Sequence, residues 1–566
     1  VVVSAAEPWD RPFASDTAAI VSAAQAVEAE DDQAVVALLE EHSYSIDKQG
    51  LATSTTRHVY HVRQREAVEY WSSIEREYQP WSEERPEIRA RVISAGGTVR
   101  TLDPKTVADA ATSQYDNTIY SDRRTVRAPL PGVEAGAVVE VEIRTEQTRN
   151  QLGAGSVRRI VVNQYTQLQQ FRFSVEAHRQ VPLRTALYRI PQESLRREES
   201  GKTVRYTLEL GPLSVVERID FNAPPDAAPQ KRVEFSTGSS WQTLAAGYSE
   251  TIDAKIAGAE LSSFVEGLDM DGTPKEVAGR LTARLHERIR YTGVEFSEAE
   301  IVPVTPAETI ARGYGDCKDK STLLTALLRQ AGLEARVALL AAGADADVPE
   351  ELPGLGLFNH VIVRVGGEEP FWIDATAENV RVGVLPPMDE GRLALVAGPE
   401  TTELARTPLS ESKDNWLRRT TVLTMRGFGR GSTEVTTTLG GTLESEMRAT
   451  FRTEESFAEA VGEGAEGLQG EVVHASTSGG SNYSKPFQLD AKIDRITAVE
   501  SGFEQAIAAI SVVDLFEHMP WGASPATTSR SISSATPCSR TAATRPRPAP
   551  TRRPSTSPSR AIPSLT

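Results

Sequence analysis

From about residue 46 to residue 236 the chain consists of short runs rich in Val, Ile, Tyr and Thr that alternate with polar residues, and from Trp241 the texture turns helical. The alternating runs include Arg57–Val62, Arg89–Ile93, Val138–Ile143, Val157–Val162, Phe171–Val175 and Val204–Leu210, with Gly96-Gly97 and Pro131-Gly132 among the turn signals between them. A period of two with this punctuation predicts an antiparallel β domain built as two packed sheets. A block of strands followed by a block of helices predicts a multidomain α+β chain.

In the second block Trp241 to Ile256 fits one helix. The next has Thr273 as its cap, Pro274 in its first turn, and Val277, Leu281, Leu285 and Ile289 along one stripe. A third starts near Cys317, continues through Leu323, Leu324, Leu327 and Leu328, and stops at Gly332. Strand runs follow at Ala335–Leu340, His360–Val365 and Phe371–Ile373. Residues 411–519 return to strands, with Thr420–Met425, Ser432–Leu439 and a helical stretch over Glu454–Val461. The expected divisions are an N-terminal stub and helical lead (1–45), the antiparallel β domain (46–240), a central core (241–410), a β-rich domain that is cut short if the tail is an artefact (411–519) and a tail (520–566). A chain of 566 residues agrees with that partition, since domains hold roughly 100–200 residues.

Both ends are unusual. Residues 16–41 read as helix, with Asp16 as the cap, Ile20, Ala23, Ala24, Val27, Val35, Val36 and Leu39 at helical spacing, and a break near residues 30–32. The opening Val1-Val2-Val3-Ser4-Ala5-Ala6 reads as the end of a secretory signal cut after Ala6, which would make the protein periplasmic or extracellular; the alternative is an apolar stub from an arbitrary start. After residue 519 come seven arginines and no acid. That tail is either disordered or a coding artefact, and we favour the artefact. The remaining body then carries a formal charge of −24, against −17 for the whole chain. Such a body is a poor partner for nucleic acid or anionic lipid. No run approaches the ~20 apolar residues of a membrane span.

There are two cysteines, Cys317 and Cys538, and the second lies in the tail. One thiol in the folded part excludes a disulfide framework and a Cys-rich zinc site. With Asp316 as N-cap, Cys317 becomes the first residue of its helix, where free amides and the helix dipole favour thiolate and can help hold an oxyanion. Alone, such a cysteine is more often a small buried apolar residue. His360 opens an apolar strand, from which its ring can take the thiol proton. Asp374 ends the neighbouring strand across Gly366-Gly367, where a carboxylate can orient the imidazole. Separately, these two read as a structural histidine and a turn aspartate. Together, in the order Cys, His, Asp, with spacings of 43 and 14 residues, they form a papain-type arrangement.

The segments YGDCKDKSTLLTALLRQAGLEA, FNHVIV and WIDAT resemble the three core motifs of bacterial transglutaminase-like proteins. Upstream, RPFA, WSSIEREYQPWSEERPEIRARVI, TLDPKT, YSDRRTVRAPLPGVEAGAVVE and the Trp241 helix are similar to the β domain of unknown function that precedes such cores. The resemblance covers most of residues 9–400. It implies a papain-like transglutaminase core with Cys317, His360 and Asp374 as the triad, no metal, no organic cofactor, and export from the cell. The tail after residue 519 departs from it, where the family continues its β domain.

Tyr291 and Tyr314, close to Cys317 in sequence, are candidates for oxyanion or pocket contacts. Trp71, Tyr78, Trp81 and Tyr70 read as core aromatics rather than a glycan or peptide platform. His286 has no partner at ligand spacing, so a metallohydrolase has no support. Asp103 and Lys105 read as a turn. Two functions remain. The first is a thiol hydrolase (protease or amidase) or acyltransferase acting on protein or peptide substrates of the cell envelope, with hydrolysis favoured because water is the default acceptor. The second is a catalytically weak binding or assembly module at the cell surface. Substrate and oligomeric state stay open.

Overall fold

Strand alternation in the first half of the chain produces an eight-stranded sheet, ordered Arg196–Ser200, Thr203–Leu210, Gln167–His178, Val35–Ile46, Ala52–Val62, Val138–Glu146, Glu87–Ile93, Val99–Thr101. The computed structural model describes residues 7–508 apart from 30–32, 113–118, 151–154, 163–164, 217–229, 344–345, 426–429, 468, 481, 498 and 502–505. The valine stub, Cys538 and the arginine-rich tail lie outside the described residues. Neighbouring strands of the large sheet run antiparallel except Val35–Ile46 against Gln167–His178, which are parallel. Two three-stranded sheets pack side by side on one face of it instead of the single partner sheet expected. Phe171, Phe173 and Val175 meet Ile160, Val233 and Phe235 of one, and Val139 and Val141 meet Ala128 of the other.

The helix expected over 16–41 is shorter. Helix α1 covers Thr17–Ala26, capped by Asp16, and Val35, Val36 and Leu39 belong to a central strand. The apolar run misleads because both faces of that strand are covered: Ile20, Val21 and Ala24 of α1 pack on Val36, Leu38 and Leu39. A bulge between Ala37 and Leu39 also breaks the alternation. A buried run of this kind has no readable period.

A buried charge cluster pins the N-terminal segment to this sheet. Glu140 accepts on Oε1 from Arg57 Nη2 at 2.7 Å and the Phe13 amide at 2.9 Å, and on Oε2 from Arg91 Nε at 2.6 Å. Trp9 Nε1 donates to Gln170 at 2.9 Å.

The central region follows its sequence pattern closely. Helices α2 (Trp241–Ile256) and α5 (Cys317–Gln330), with α3 (Pro274–Arg288) and α4 (Pro306–Arg312) packed on α5, lie against a five-stranded antiparallel sheet, ordered Phe371–Ile373, His360–Val365, Ala335–Leu340, Leu393–Val396, Ala405–Arg406. Leu323, Leu324, Leu327 and Leu328 of α5 join Leu281 and Leu285 of α3 with Val363 and Ile373 in one core. The β domain is bound tightly to this region. Ser156 bridges to Leu355, Arg159 Nη1 donates to Ala346 O at 2.7 Å, and a Cβ on Gly354 would sit 2.7 Å from the Val157 amide nitrogen. Only glycine permits that approach.

A third region carries a four-stranded sheet, ordered Trp416–Met425, Gly431–Gly440, Gln488–Ile496, Glu471–Ser478, with α6 (Thr442–Thr450) and α7 (Glu454–Gly467). It reaches the central region through Tyr483, whose carbonyl accepts from Val382 N at 2.9 Å. Among the described residues no helix is long and apolar enough to cross a membrane.

Candidate active site

Asp316 organises the start of α5. Its Oδ1 accepts from the amides of Lys318 and Asp319 at 3.1 and 3.2 Å, and Oδ2 pairs with the Lys318 ammonium. This carboxylate cap fixes the first turn and places half-buried Cys317 as residue one of a 14-residue helix. Ser321 Oγ donates to Val361 O at 2.8 Å, tying the helix to the strand that carries His360. Asp319 Oδ1 accepts from the Val304 amide at 2.9 Å, and burial next to Asp316 pushes its carboxyl up to about 6. Lys320, fully buried, donates to Ile289 O at 3.0 Å, and burial lowers it to about 8.

His360 is oriented by its strand. The Asn359 side chain bonds both the amide and the carbonyl of Ala342, at 2.7 and 3.0 Å, locking the start of the hairpin. Asp374 follows the Phe371–Ile373 strand, and the amide and hydroxyl of Thr376 donate to its Oδ1 at 2.8 and 2.7 Å. That leaves Oδ2 to face the ring, 3.3 Å from His360 Nε2. Burial disfavours a charged imidazole. Contact with Asp374 and Cys317, and their negative charge, outweigh it and hold His360 well above the ordinary histidine value. Burial also works against an ionised Asp374, but the contact with His360 and the Thr376 bonds hold it below its ordinary value.

The structure therefore gathers Cys317, His360 and Asp374 at one place. It adds Asp389, which the sequence reading did not single out. Asp389 is fully buried and its Oδ2 lies 4.0 Å from His360 Nε2. Facing atoms of His360, Asp374 and Asp389 all lie within 4.8 Å of one another. Burial and then the charge of Asp374 push Asp389 up to about 7. In sequence it sits in Pro386-Pro387-Met388-Asp389-Glu390-Gly391, which has the composition of an exposed turn.

The two tyrosines differ. Tyr291 feels the charges of Cys317, Asp316 and Asp374, and burial, then Cys317, raises its phenol. Tyr314 stacks under Arg290, whose guanidinium carbon is 5.5 Å from the ring centre. Neither lines the cavity beside Cys317. Tyr248 of α2 does; it is buried, its hydroxyl donates to Ile301 O at 3.2 Å, and burial, then Cys317, raises it. Its helical position gave no hint of this. The cavity holds about 610 Å³ between the β domain and the central region, and its lining includes Cys317, His360, Tyr248, Phe358, Arg76 and Arg158.

Elsewhere, Trp71 packs on Tyr60 at 4.7 Å in the β-domain core; Tyr78 is buried but lines the cavity and donates its hydroxyl to Asp109 at 3.0 Å, Tyr70 is exposed, and Trp81 lies under Arg149. Asp103 accepts from the Lys105 amide in a tight turn. His286 stacks on Tyr483 at 5.3 Å.

The transglutaminase-like superfamily core matches residues 263–373, and a domain of unknown function, DUF3857, matches residues 48–217. The crystal structure of a candidate protease from Parabacteroides distasonis is similar with a TM-score of 0.53 at 11% identity, over 84% of this chain and 94% of that one. At that identity the likeness concerns fold alone. An M1 zinc metallopeptidase from Deinococcus radiodurans matches 36% of this chain and 42% of its own, at 10% identity and a TM-score of 0.20, and carries no argument. No curated protein matches. Residues 263–373 of the chain thus match the transglutaminase-like superfamily core, with a match to DUF3857 placed ahead of it over residues 48–217.

Proposed function

We propose that this protein is a thiol hydrolase of peptide or carboxamide bonds, with Cys317 as nucleophile, His360 as general base and acid, and Asp374 as the group that orients the ring. One observation carries the reading: a half-buried cysteine opens a capped helix beside a histidine whose Nε2 is 3.3 Å from a buried carboxylate. The imidazolium held by Asp374 stabilises a thiolate beside it. The thiolate sulfur attacks the carbonyl carbon, and the π electrons move to oxygen. The Lys318 and Asp319 amides are taken by Asp316, so the Cys317 amide is the one at the start of α5 that helps bind that oxyanion. As the tetrahedral species collapses, the C–N bond breaks and His360 gives its proton to the leaving amine. The acyl group remains on Cys317 as a thioester. Water then attacks, His360 takes its proton, and the acid leaves as the thiol re-forms. An amine in place of water gives transglutamination. The open cavity beside Cys317 admits water, so hydrolysis is the favoured outcome.

The test is iodoacetamide labelling of the folded protein, located by mass spectrometry, followed by screening of peptide and carboxamide substrates. Cys317 labels faster than an unfolded control, the rate falls ~10²-fold or more in His360→Ala, and Cys317→Ala is inert in both assays. Labelling that is indifferent to the loss of His360 sinks the proposal.

A further inference from the structure

Asp389 has no ordinary structural role to account for its burial. Both its carboxylate oxygens lack a hydrogen-bond donor, and no residue surface reaches solvent. The turn that carries it is built by other atoms: its amide donates to Pro386 O at 2.9 Å, and Thr407 Oγ1 donates to its carbonyl at 2.6 Å. The side chain is therefore free of the turn and points at two groups of the site. One is His360 Nε2, 4.0 Å away, and the other is Asp374. Asp374 has committed Oδ1 to Thr376, so Oδ2 alone remains for both neighbours.

Two carboxyl groups and one imidazole nitrogen within 4.8 Å bring two negative charges together, which one proton held between the acids relieves. We propose that Asp389 is a positioning residue for the acyl-transfer chemistry, sharing one proton with Asp374 and so holding Asp374 Oδ2 against His360. This rests on the assignment of Cys317 and His360 given above. With its proton, Asp389 donates to Asp374 and draws negative charge away from the ring, which eases release of the histidine proton to a leaving amine. Without it, a second negative charge faces Nε2 and tightens the imidazolium. The other titratable groups facing the pair are Arg392, beside Asp389, and Lys320, neutral His286 and Tyr291, near Asp374. Arg392 donates its Nε to Ala341 O, not to Asp389. The shift of Asp389 up to about 7 agrees with a proton held near neutral pH.

The experiment compares iodoacetamide labelling of Cys317 against pH in wild type, Asp389→Asn and Asp389→Ala, with circular dichroism to establish folding. Asparagine keeps a neutral donor to Asp374; alanine does not. The wild type shows an inflection near neutral pH that both variants lack. Asp389→Asn retains the acid-side rate, while Asp389→Ala labels about tenfold slower, the worth of one hydrogen bond to a charged group. A merely structural residue would not be rescued by asparagine in this way. Infrared difference spectra supply a readout independent of thiol reactivity. One protonated carboxylic acid band that titrates near neutral pH, apart from that of Asp319, is present in wild type and in Cys317→Ala and absent in Asp389→Asn. If Cys317 proves unreactive in every protein yet this band behaves as stated, the shared proton stands and the catalytic assignment fails. Superimposable pH profiles with no lost band overturn the proposal, as does a divalent ion retained by purified wild type and lost from Asp389→Asn.

Discussion

Two buried acids in this chain, Glu140 and Asp389, are both fully shielded from solvent, yet their surroundings are opposites. Glu140 has two guanidinium groups and a backbone amide on its oxygens. Asp389 has no donor on either oxygen, another acid beside it and a histidine at 4.0 Å. A buried charge with both oxygens engaged is a fastener between segments, here joining the Trp9–Phe13 stretch to the sheet. A buried acid left short of partners is unfavourable on its own and persists where its proton has a use. Pairing, not burial, separates structural from chemical charge in this protein.

Four measurements break or sharpen that contrast. Glu140→Ala strands two buried guanidinium groups and costs ~3–5 kcal/mol of stability, read as an earlier urea transition, while Cys317 labelling in the folded protein stays at the wild-type rate. A stability loss below 1 kcal/mol would remove Glu140 from the fastener class. Asp374→Ala gives the reverse: labelling slows by ~10²-fold, about 3 kcal/mol in rate terms, and the urea transition moves little because two adjacent acids no longer compete for one proton. A large loss of stability with unchanged labelling would make Asp374 structural.

His286 tests a third kind of buried group, one kept neutral. Burial, and then Lys320, lowers it to about 3, and both ring nitrogens lack partners. Its unfolded value lies near 6.5, so below that pH the unfolded chain binds the proton first and stability falls as pH drops from about 6.5 toward 3. At pH 5 the loss amounts to ~2 kcal/mol, and His286→Leu abolishes that portion of the pH dependence. Identical acid-unfolding curves for the two proteins would contradict it. The smallest effect is at Thr376. Valine there removes the hydroxyl bond to Asp374 Oδ1 but keeps the amide bond, so labelling slows only several-fold, about 1 kcal/mol. A loss as deep as that of Asp374→Ala would show that the hydroxyl alone orients the carboxylate.

Legibility in the sequence followed periodicity and capping. Thr273-Pro274 marks the true start of α3, Asp316 the true cap of α5, and the runs at 335–340, 360–365 and 371–373 are strands with the bounds expected. These are local signals, set by a few neighbouring residues and independent of the rest of the chain. The run at Val35–Leu39 failed as a helix because its burial comes from α1 on one side and the sheet on the other, a fact of packing.

Which residues share a site is a tertiary matter. Cysteine, histidine and aspartate could be ordered from the sequence because each stands at an element boundary, where side-chain direction is constrained. Asp389 could not, since a Pro-Met-Asp-Glu-Gly turn normally faces solvent, and only the fold turns its carboxyl inward toward His360. Tyr248 is similar: helical spacing assigns it to the buried face of α2 but is silent on the cysteine across from it. The sequence by itself determined the order of domains, the helix that presents the thiol and the strands that present its partners, because capping and period act over a few residues. Only the tertiary structure decided that a second acid stands behind the histidine and that the β domain walls the cavity beside Cys317, because both depend on contacts between segments far apart in the chain.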